Sequence, residues 1–324
     1  MISLVEEGAR LLRDAELVAF PTETVYGLGA DAANPAAVAK IFALKGRPSD
    51  HPLIVHVAGI EALREWGSDV PAAAFALAGN FWPGPLTMIV KKAHRVPAAV
   101  TGGQDSVGLR CPSHPMAQEL LREFARIGSG AIAAPSANRF GHVSPTTAEH
   151  VLDEFGAGLF ILDGGPCEVG LESTIVDLSR GAPVLLRPGA VTRADIARVM
   201  GVDPRDGDAE APRASGTLAA HYAPRTAMAL AGARALDMEL RSLTNVAVLA
   251  MHEAPYSVRV TTWIDAGSEP ARYGHDLYAN LRKLDASGAK RILVEAPPRT
   301  PEWEAINDRL DRAATGSGGL GDSP

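Results

Sequence analysis

Lys45 and Arg47 stand one residue apart, separated by Gly46 and followed by Pro48, so a loosened and then stiffened backbone presents paired positive charge. Such a turn can hold a polyanion through charge-assisted hydrogen bonds. It suits a solvated helix end equally well. Asn34 to Leu44 carries Val38, Ile41, Phe42 and Leu44 at helical spacing, and cations are favoured at a helix C-terminus. Further polar groups punctuate the chain at Thr22, Thr24, Arg110, Ser136-Ala137-Asn138 and Arg187. Each alone reads as turn chemistry or as an ion-pair partner.

Two other chemistries are set aside. Gly27-x-Gly29-x-x-Ala32 follows a strand-like run in the manner of a dinucleotide fingerprint. However, the acidic residue at the right distance, Asp50, lies in a Pro-flanked loop rather than at the end of a second strand. No GxxxxGK[ST] string occurs, so an ATP phosphate chain would need another cradle. His51 and His56 are an odd number of residues apart, and a continuous strand would turn them to opposite faces, which removes a chelating pair. No carboxylate cluster announces a metal site, and none is expected.

The elements that must position these residues follow from periodicity. Leu4 to Leu12 suggests an opening helix, and Leu17–Phe20 and Leu53–Val57 are apolar runs of strand length. Asn34-Pro35 supplies a helix start, Asn as cap and Pro in the first turn. Helices are expected at Ile60–Trp66, Pro71–Phe81, His114–Ile127 and Thr192–Met200, with a rigid break at Phe81–Pro85. Strands are expected at Leu86–Val90, Val107–Leu109, Ala131–Ala134, Leu159–Leu162, Ser173–Asp177 and Val184–Leu186. Several strand pairs lack a helix between them, which predicts a mixed sheet. Residues 205–225, rich in Pro, Gly, Asp and Ala, read as a linker. Beyond it, strands at Ala227–Leu230, Val246–Met251, Val258–Ile264 and Ile292–Glu295 alternate with helices at Arg234–Leu243, Ala271–Ser287 and Glu302–Ala314. The predicted organisation is therefore a first domain over 1–204, a linker over 205–225, a smaller Rossmann-like α/β domain over 226–314, and a disordered Gly/Ser-rich tail over 315–324.

Composition narrows the functional classes. A chain of 324 residues with net charge −7 can bury two cores and is a poor candidate for tight, phosphate-driven nucleic-acid binding, so direct RNA contact is expected to be weak or absent outside a local patch. Only Cys111 and Cys167 occur, without framework spacing, which points to a reducing compartment. The first residues lack the basic region and apolar block of a signal peptide, and no run approaches the roughly 18 apolar residues of a membrane span. A cytoplasmic, soluble protein is expected.

PTETVYGLGADA at Pro21–Ala32, KGRP at Lys45–Pro48 and HPLIVHV at His51–Val57 resemble the opening of the YrdC-like threonylcarbamoyl-adenylate synthases. GLRCP at Gly108–Pro112, APSANRFGHVSPTTA at Ala134–Ala148, LESTIVD at Leu171–Asp177, LLRPG at Leu185–Gly189 and HYAP at His221–Pro224 extend the match over nearly the whole chain. Lys45-x-Arg47 with Ser136-x-Asn138 is similar to the family's hallmark pair of motifs. The resemblance implies a YrdC-like twisted mixed-sheet domain with flanking helices, in a long form carrying an extra C-terminal α/β domain.

It also implies an activity, a nucleotidyltransferase. L-threonine takes up bicarbonate or CO2 as a carbamate, which attacks the α-phosphorus of ATP, giving threonylcarbamoyl-AMP and pyrophosphate for threonylcarbamoyladenosine modification of ANN-decoding tRNAs by a separate transferase complex. ATP enters as substrate, with Mg2+ only as its counter-ion. Such a reaction asks for charge neutralisation and alignment rather than a nucleophile. By resemblance, Lys45 and Arg47 are the catalytic cations. Lys45, Arg47, His51, Ser106, Ser136, Asn138, Ser144, Arg187 and Tyr222 contact ATP, and Thr22, Thr24, His56, Arg110 and Thr174 form the threonine pocket. His51 replaces the Asn common in relatives, which puts a group that titrates near neutrality beside the nucleotide. The linker, with Gly216 as hinge and Tyr222 as anchor, is read as a cover for a product that water destroys. The competing class is a non-catalytic RNA-binding or ribosome-associated module; the charge, 5% aromatic residues and the retained Lys-x-Arg and Ser-x-Asn set argue against it.

Overall fold

In the computed structural model, residues 2–256 and 259–318 are described. The chain divides into two compact units. One runs through Phe140 and continues over Pro145–Glu168 and Glu172–Thr217; the other takes Gly141–Ser144, Val169–Leu171 and the chain from Leu218 onward. The boundary at Thr217 thus falls inside the segment read as a linker.

The first unit is built on ten strands: β1 (Val18–Phe20), β2 (Gly27–Asp31), β3 (Ile54–Val57), β4 (Leu86–Lys91), β5 (Ser106–Arg110), β6 (Ala131–Ala133), β7 (Phe160–Ile161), β8 (Thr174–Asp177), β9 (Val184–Arg187) and β10 (Arg205–Asp206). They lie in the order β10-β9-β8-β4-β5-β3-β6-β2-β1-β7, with antiparallel pairs such as β4/β5 beside parallel ones such as β3/β5 and β4/β8. This is the mixed sheet expected. Its helices are α1 (Leu4–Arg13), α2 (Pro35–Lys45), α3 (Ala62–Trp66), α4 (Ala72–Phe81), α5 (Ala98–Thr101), α6 (Pro115–Ile127), α7 (Ala148–Phe155) and α8 (Arg193–Met200). Helix α2 begins as its sequence dictates: Asn34 Oδ1 accepts from the Ala36 and Ala37 amides, and Pro35 occupies the first turn. It ends at Gly46, whose φ of 64° is a left-handed cap that β-carbon-bearing residues resist. The cap turns the chain so that Lys45 and Arg47 leave the helix together.

The two faces of the sheet are covered unequally. Val18, Phe20 and Ile132 pack against Val5, Ala9 and Leu12 of α1 and Leu120, Leu121 and Phe124 of α6. A larger core on the other face joins Tyr26, Leu28, Val55, Leu109 and Val176 to Val38 and Ile41 of α2, Leu77 of α4 and Ile196 of α8. On the α1/α6 face, the half formed by β3, β5, β4, β8 and β9 carries a small cluster of Ile54, Ile89 and Ile175, partly covered by Ala214.

The second unit is a parallel sheet of β11 (Met228–Ala231), β12 (Val246–Ala250), β13 (Thr262–Asp265) and β14 (Arg291–Glu295) in the order β11-β14-β12-β13, with α9 (Ala233–Leu240), α10 (Pro270–Asp285) and α11 (Glu304–Gly316). The alternation of strand and helix agrees with the Rossmann-like expectation. Val258, taken as the start of the third strand, lies outside the described residues, and that strand runs from Thr262. Of the expected tail, Thr315 and Gly316 complete α11, and residues 319–324 lie outside the described residues.

Candidate functional site

Strand register lines up one row of side chains across the less-covered half of the sheet. His56 of β3 faces Arg110 of β5, Arg110 faces Thr87 of β4, Thr87 faces Ile175 of β8, and Ile175 faces Arg187 of β9. Residues in register on neighbouring strands share a face, so all five point to one side. The next row holds Ile54, Gly108 and Ile89. Over them lies an open cleft lined by Ile54, Thr87, Ile89, Ser106, Gly108 and Ile175, with Arg213–Ser215 along its wall. Gln104 and Arg213 pair through two hydrogen bonds of 2.7 and 3.1 Å, and Arg187 Nη1 donates to the Ser215 carbonyl at 2.8 Å. The part of the expected cover that belongs to this unit runs from 205 to 217, and its residues 213–215 lie along the cleft wall.

At the β3/β5 end of the row, Arg110 and His56 are almost wholly buried. Arg110 Nη2 donates to Glu23 Oε1 at 2.7 Å, while among the described residues Arg110 Nε and His56 Nδ1 have no hydrogen-bond partner. Buried polar groups are nearly always paired, so two orphans on register partners mark a place built to receive something polar. Burial, with Arg110 adding repulsion, pushes the His56 imidazole down to about 3, leaving it neutral at physiological pH. Thr22 and Thr24 sit beside them in the turn between β1 and β2. The Thr22 hydroxyl donates to the Val25 carbonyl at 2.6 Å, so in its 2.9 Å contact with Thr24 it is Thr24 that donates. Thr24 keeps oxygen lone pairs for a ligand, and Thr22 braces the turn.

Thr174 does not join this row. Its hydroxyl donates to the Val191 carbonyl at 2.7 Å, and its neighbour Ser173 bonds to Thr87 at 2.7 Å and to Arg187 Nη2 at 3.1 Å. Alternation along the strand decides between them. Sequence reasoning missed Ser173, Thr87 and Glu23. The first could have been found by asking which member of Ser173-Thr174 shares the phase of Ile175; a lone acidic residue between two threonines carries no such signal.

The cation turn forms a second cluster. Lys45 is 3% exposed, and its ammonium donates to the carbonyls of Ser136, at 2.6 Å, and Asn138. Burial and then the Arg47 charge hold its pKa well below that of an ordinary lysine. Ser136 is placed by strand-like pairing with β2: Gly27 bridges Ser136, and the Ala137 amide donates to Tyr26. Arg47 Nη2 donates to the Pro52 carbonyl at 3.0 Å, and its guanidinium lies 5.8 Å from the centre of the Phe140 ring. His51 meets the same ring edge-on at 5.5 Å, and burial and Arg47 both lower its pKa, favouring the neutral form. The first unit thus brings together Thr22, Thr24, His56 and Arg110, and separately Lys45, Arg47, His51, Ser136 and Asn138, with Ser106 on the cleft and Arg187 bonded to Ser215 of its wall.

Ser144 and Tyr222 belong to the second unit. Ser144 lies beside Arg282, whose Nη2 donates to the Val143 carbonyl at 2.5 Å. Tyr222 is 1% exposed, its ring 5.7 Å from Tyr278 and beneath the Arg309 guanidinium at 5.4 Å.

The pKa of His56 predicts an acid-sensitive fold. The imidazole is held neutral when folded but titrates near 6.5 when unfolded, so protons bind the unfolded chain preferentially below that pH. Stability is full above about 6.5 and falls as pH drops toward 3, by roughly 2 kcal/mol between pH 6.5 and 5. Urea unfolding of the protein and of His56→Gln at both pH values measures it. The variant should lose about that much less on acidification.

The fold and the paired clusters define a YrdC-like α/β protein with an appended parallel α/β unit. A family model described as telomere recombination matches residues 10–189, and one described as the threonylcarbamoyl-AMP synthase C-terminal domain matches residues 191–315. The chain belongs to the Sua5/YciO/YrdC family, in its long form, whose similar members are enzymes named threonylcarbamoyl-AMP synthase. It is 38% identical to that of Pyrococcus abyssi over 95% of this chain and 93% of the relative, and 40% identical to that of Bacillus subtilis over 96% and 93%. The crystal structure of P. abyssi Sua5 complexed with L-threonine superimposes with a TM-score of 0.87 and 36% identity over 97% of this chain and 94% of that one. Among the described residues no helix is long and apolar enough to cross a membrane.

Proposed function

We propose that the first unit condenses L-threonine, bicarbonate or CO2 and ATP into threonylcarbamoyl-AMP and pyrophosphate. The observation that carries this reading is the buried Arg110–His56 pair, with one unpartnered nitrogen on each, beside a cleft and in the same unit as the Lys45–Arg47 cations. Arg110 suits the threonine carboxylate, because its planar fork can grip both oxygens. Neutral His56 and the Thr24 oxygen offer hydrogen bonds without adding charge. Both matter because the amine must shed protons and become an anionic carbamate next to the carboxylate. Lys45 spends two of its three N–H donors on carbonyls and keeps one for a phosphate oxygen. Arg47 adds a second cation. Together they offset the triphosphate charge that would repel the attacking carbamate and stabilise the charge that builds up at the α-phosphorus. His51, Ser106, Ser136, Asn138 and Arg187 complete the nucleotide set of the first unit, and Mg2+ arrives with ATP. The product passes to a separate transferase that modifies ANN-decoding tRNAs in the cytoplasm, where free thiols such as buried Cys111 and Cys167 stay reduced. Incubation with isotopically labelled bicarbonate tests this: mass spectrometry should find threonylcarbamoyl-AMP carrying the label, and AMP formation without it contradicts the reading.

The cleft floor supplies a second test. A β-carbon on Gly108 would sit 3.4 Å from Thr87 and 3.7 Å from Ile54, ordinary contacts, so a side chain fits the strand but projects into the cleft. Gly108→Val should leave the melting temperature unchanged or slightly raised, since β-branched residues suit strands, and weaken ATP binding by about tenfold or more. Calorimetry and thermal melting read the two effects separately.

A further inference from the structure

Glu23 is a charged side chain at the Arg110 end of the row to which the proposed function gives no task. Its carboxylate is almost wholly buried, as is its partner guanidinium. Both of its oxygens are engaged: Oε1 accepts from Arg110 Nη2 at 2.7 Å and Oε2 accepts from the Ser113 amide at 3.0 Å. The carboxylate therefore ties the turn after β1 to the chain leaving β5. The turn is itself rigid, since the Thr22 oxygen accepts the amides of Thr24 and Val25, each at 3.2 Å, while its hydrogen goes to Val25.

We infer that Glu23 is a positioning residue for the amino-acid carboxylate: acting through Arg110, it holds the guanidinium by one nitrogen so that the unpartnered Nε–H stays presented to the substrate. This deepens the function proposed above and rests on it. An arginine has many rotamers, and fixing it before the substrate arrives removes an entropic cost from binding. The pair is also electrically neutral, so a zwitterionic amino acid enters without leaving a net charge in the buried pocket. Take Glu23 away and Arg110 becomes a buried charge free to turn elsewhere.

A merely structural ion pair would behave differently, and that separates the two. Glu23→Gln keeps the shape but loses the charge-assisted bond, and should raise the Michaelis constant for threonine about tenfold while that for ATP moves less than about twofold. Glu23→Asp, which keeps the charge on a shorter arm, should recover part of the loss. In an Arg110→Lys background, where the fork is already gone, Glu23→Gln should add less than about a further twofold, because the two residues act as one unit. An unchanged threonine constant in Glu23→Gln, equal rises for threonine and ATP, or a full additional loss in the Arg110→Lys background overturns the inference. If Glu23→Gln melts below the assay temperature, Glu23→Asp carries the same comparison. A wild-type rate that ignores threonine removes the proposed function and this inference together; a threonine-dependent wild type with an unaffected Glu23 variant removes this inference alone.

Discussion

Arg110→Lys should raise the threonine constant by one to two orders of magnitude and leave that for ATP nearly untouched. The ammonium can still neutralise Glu23, so the pocket keeps its charge balance, but a point charge cannot reproduce the planar fork that meets two carboxylate oxygens at once. A hydrogen bond to a charged group contributes about 1.5–3 kcal/mol, which sets the range at roughly 10- to 150-fold. Initial rates of pyrophosphate release, with threonine varied at saturating ATP and then the reverse, measure both constants. An effect confined to ATP would assign this arginine to the wrong substrate.

Arg47→Ala is the complementary experiment. Arg47 is 7% exposed and beside a buried Lys45 whose proton is destabilised by the Arg47 charge. Removing Arg47 lifts that repulsion, but it also deletes one of two cations available to the triphosphate. The transition state, in which charge builds up on the phosphoryl oxygens, should suffer more than the ground state, so turnover should drop by about 10²–10³-fold. Threonine binding measured by calorimetry without nucleotide should be nearly unchanged, because Arg47 belongs to the other cluster. Unaltered ATP affinity and turnover would remove Arg47 from the site.

Sequence periodicity located most elements of both sheets to within a few residues, because apolar spacing and caps such as Asn34-Pro35 are local physics. It failed where local signals are ambiguous. Gly27–Asp31 was not read as a strand, because its glycines carry no alternating pattern, yet it is strand β2, paired with β1 and β6. Helix α7 went unread although Thr147 caps it by accepting from the His150 amide. Among the site residues, the two clusters were legible chiefly through resemblance, since a threonine, serine or arginine alone says little. What no local pattern contains is phase. Thr174 was expected at the pocket, but its register against Leu86 and its bond to Val191 turn it away and leave Ser173 in its place. Glu23 was hidden for a different reason. An acidic residue in a polar tripeptide looks solvated until the fold buries it against an arginine 87 residues away.

The joining of threonine, bicarbonate and ATP in the first unit is the proposed reaction. It is tested most directly by following pyrophosphate release from ATP with threonine and bicarbonate each omitted in turn. Release is expected only when all three are present, with near-background rates when either is left out. Pyrophosphate released at the full rate without threonine would contradict it.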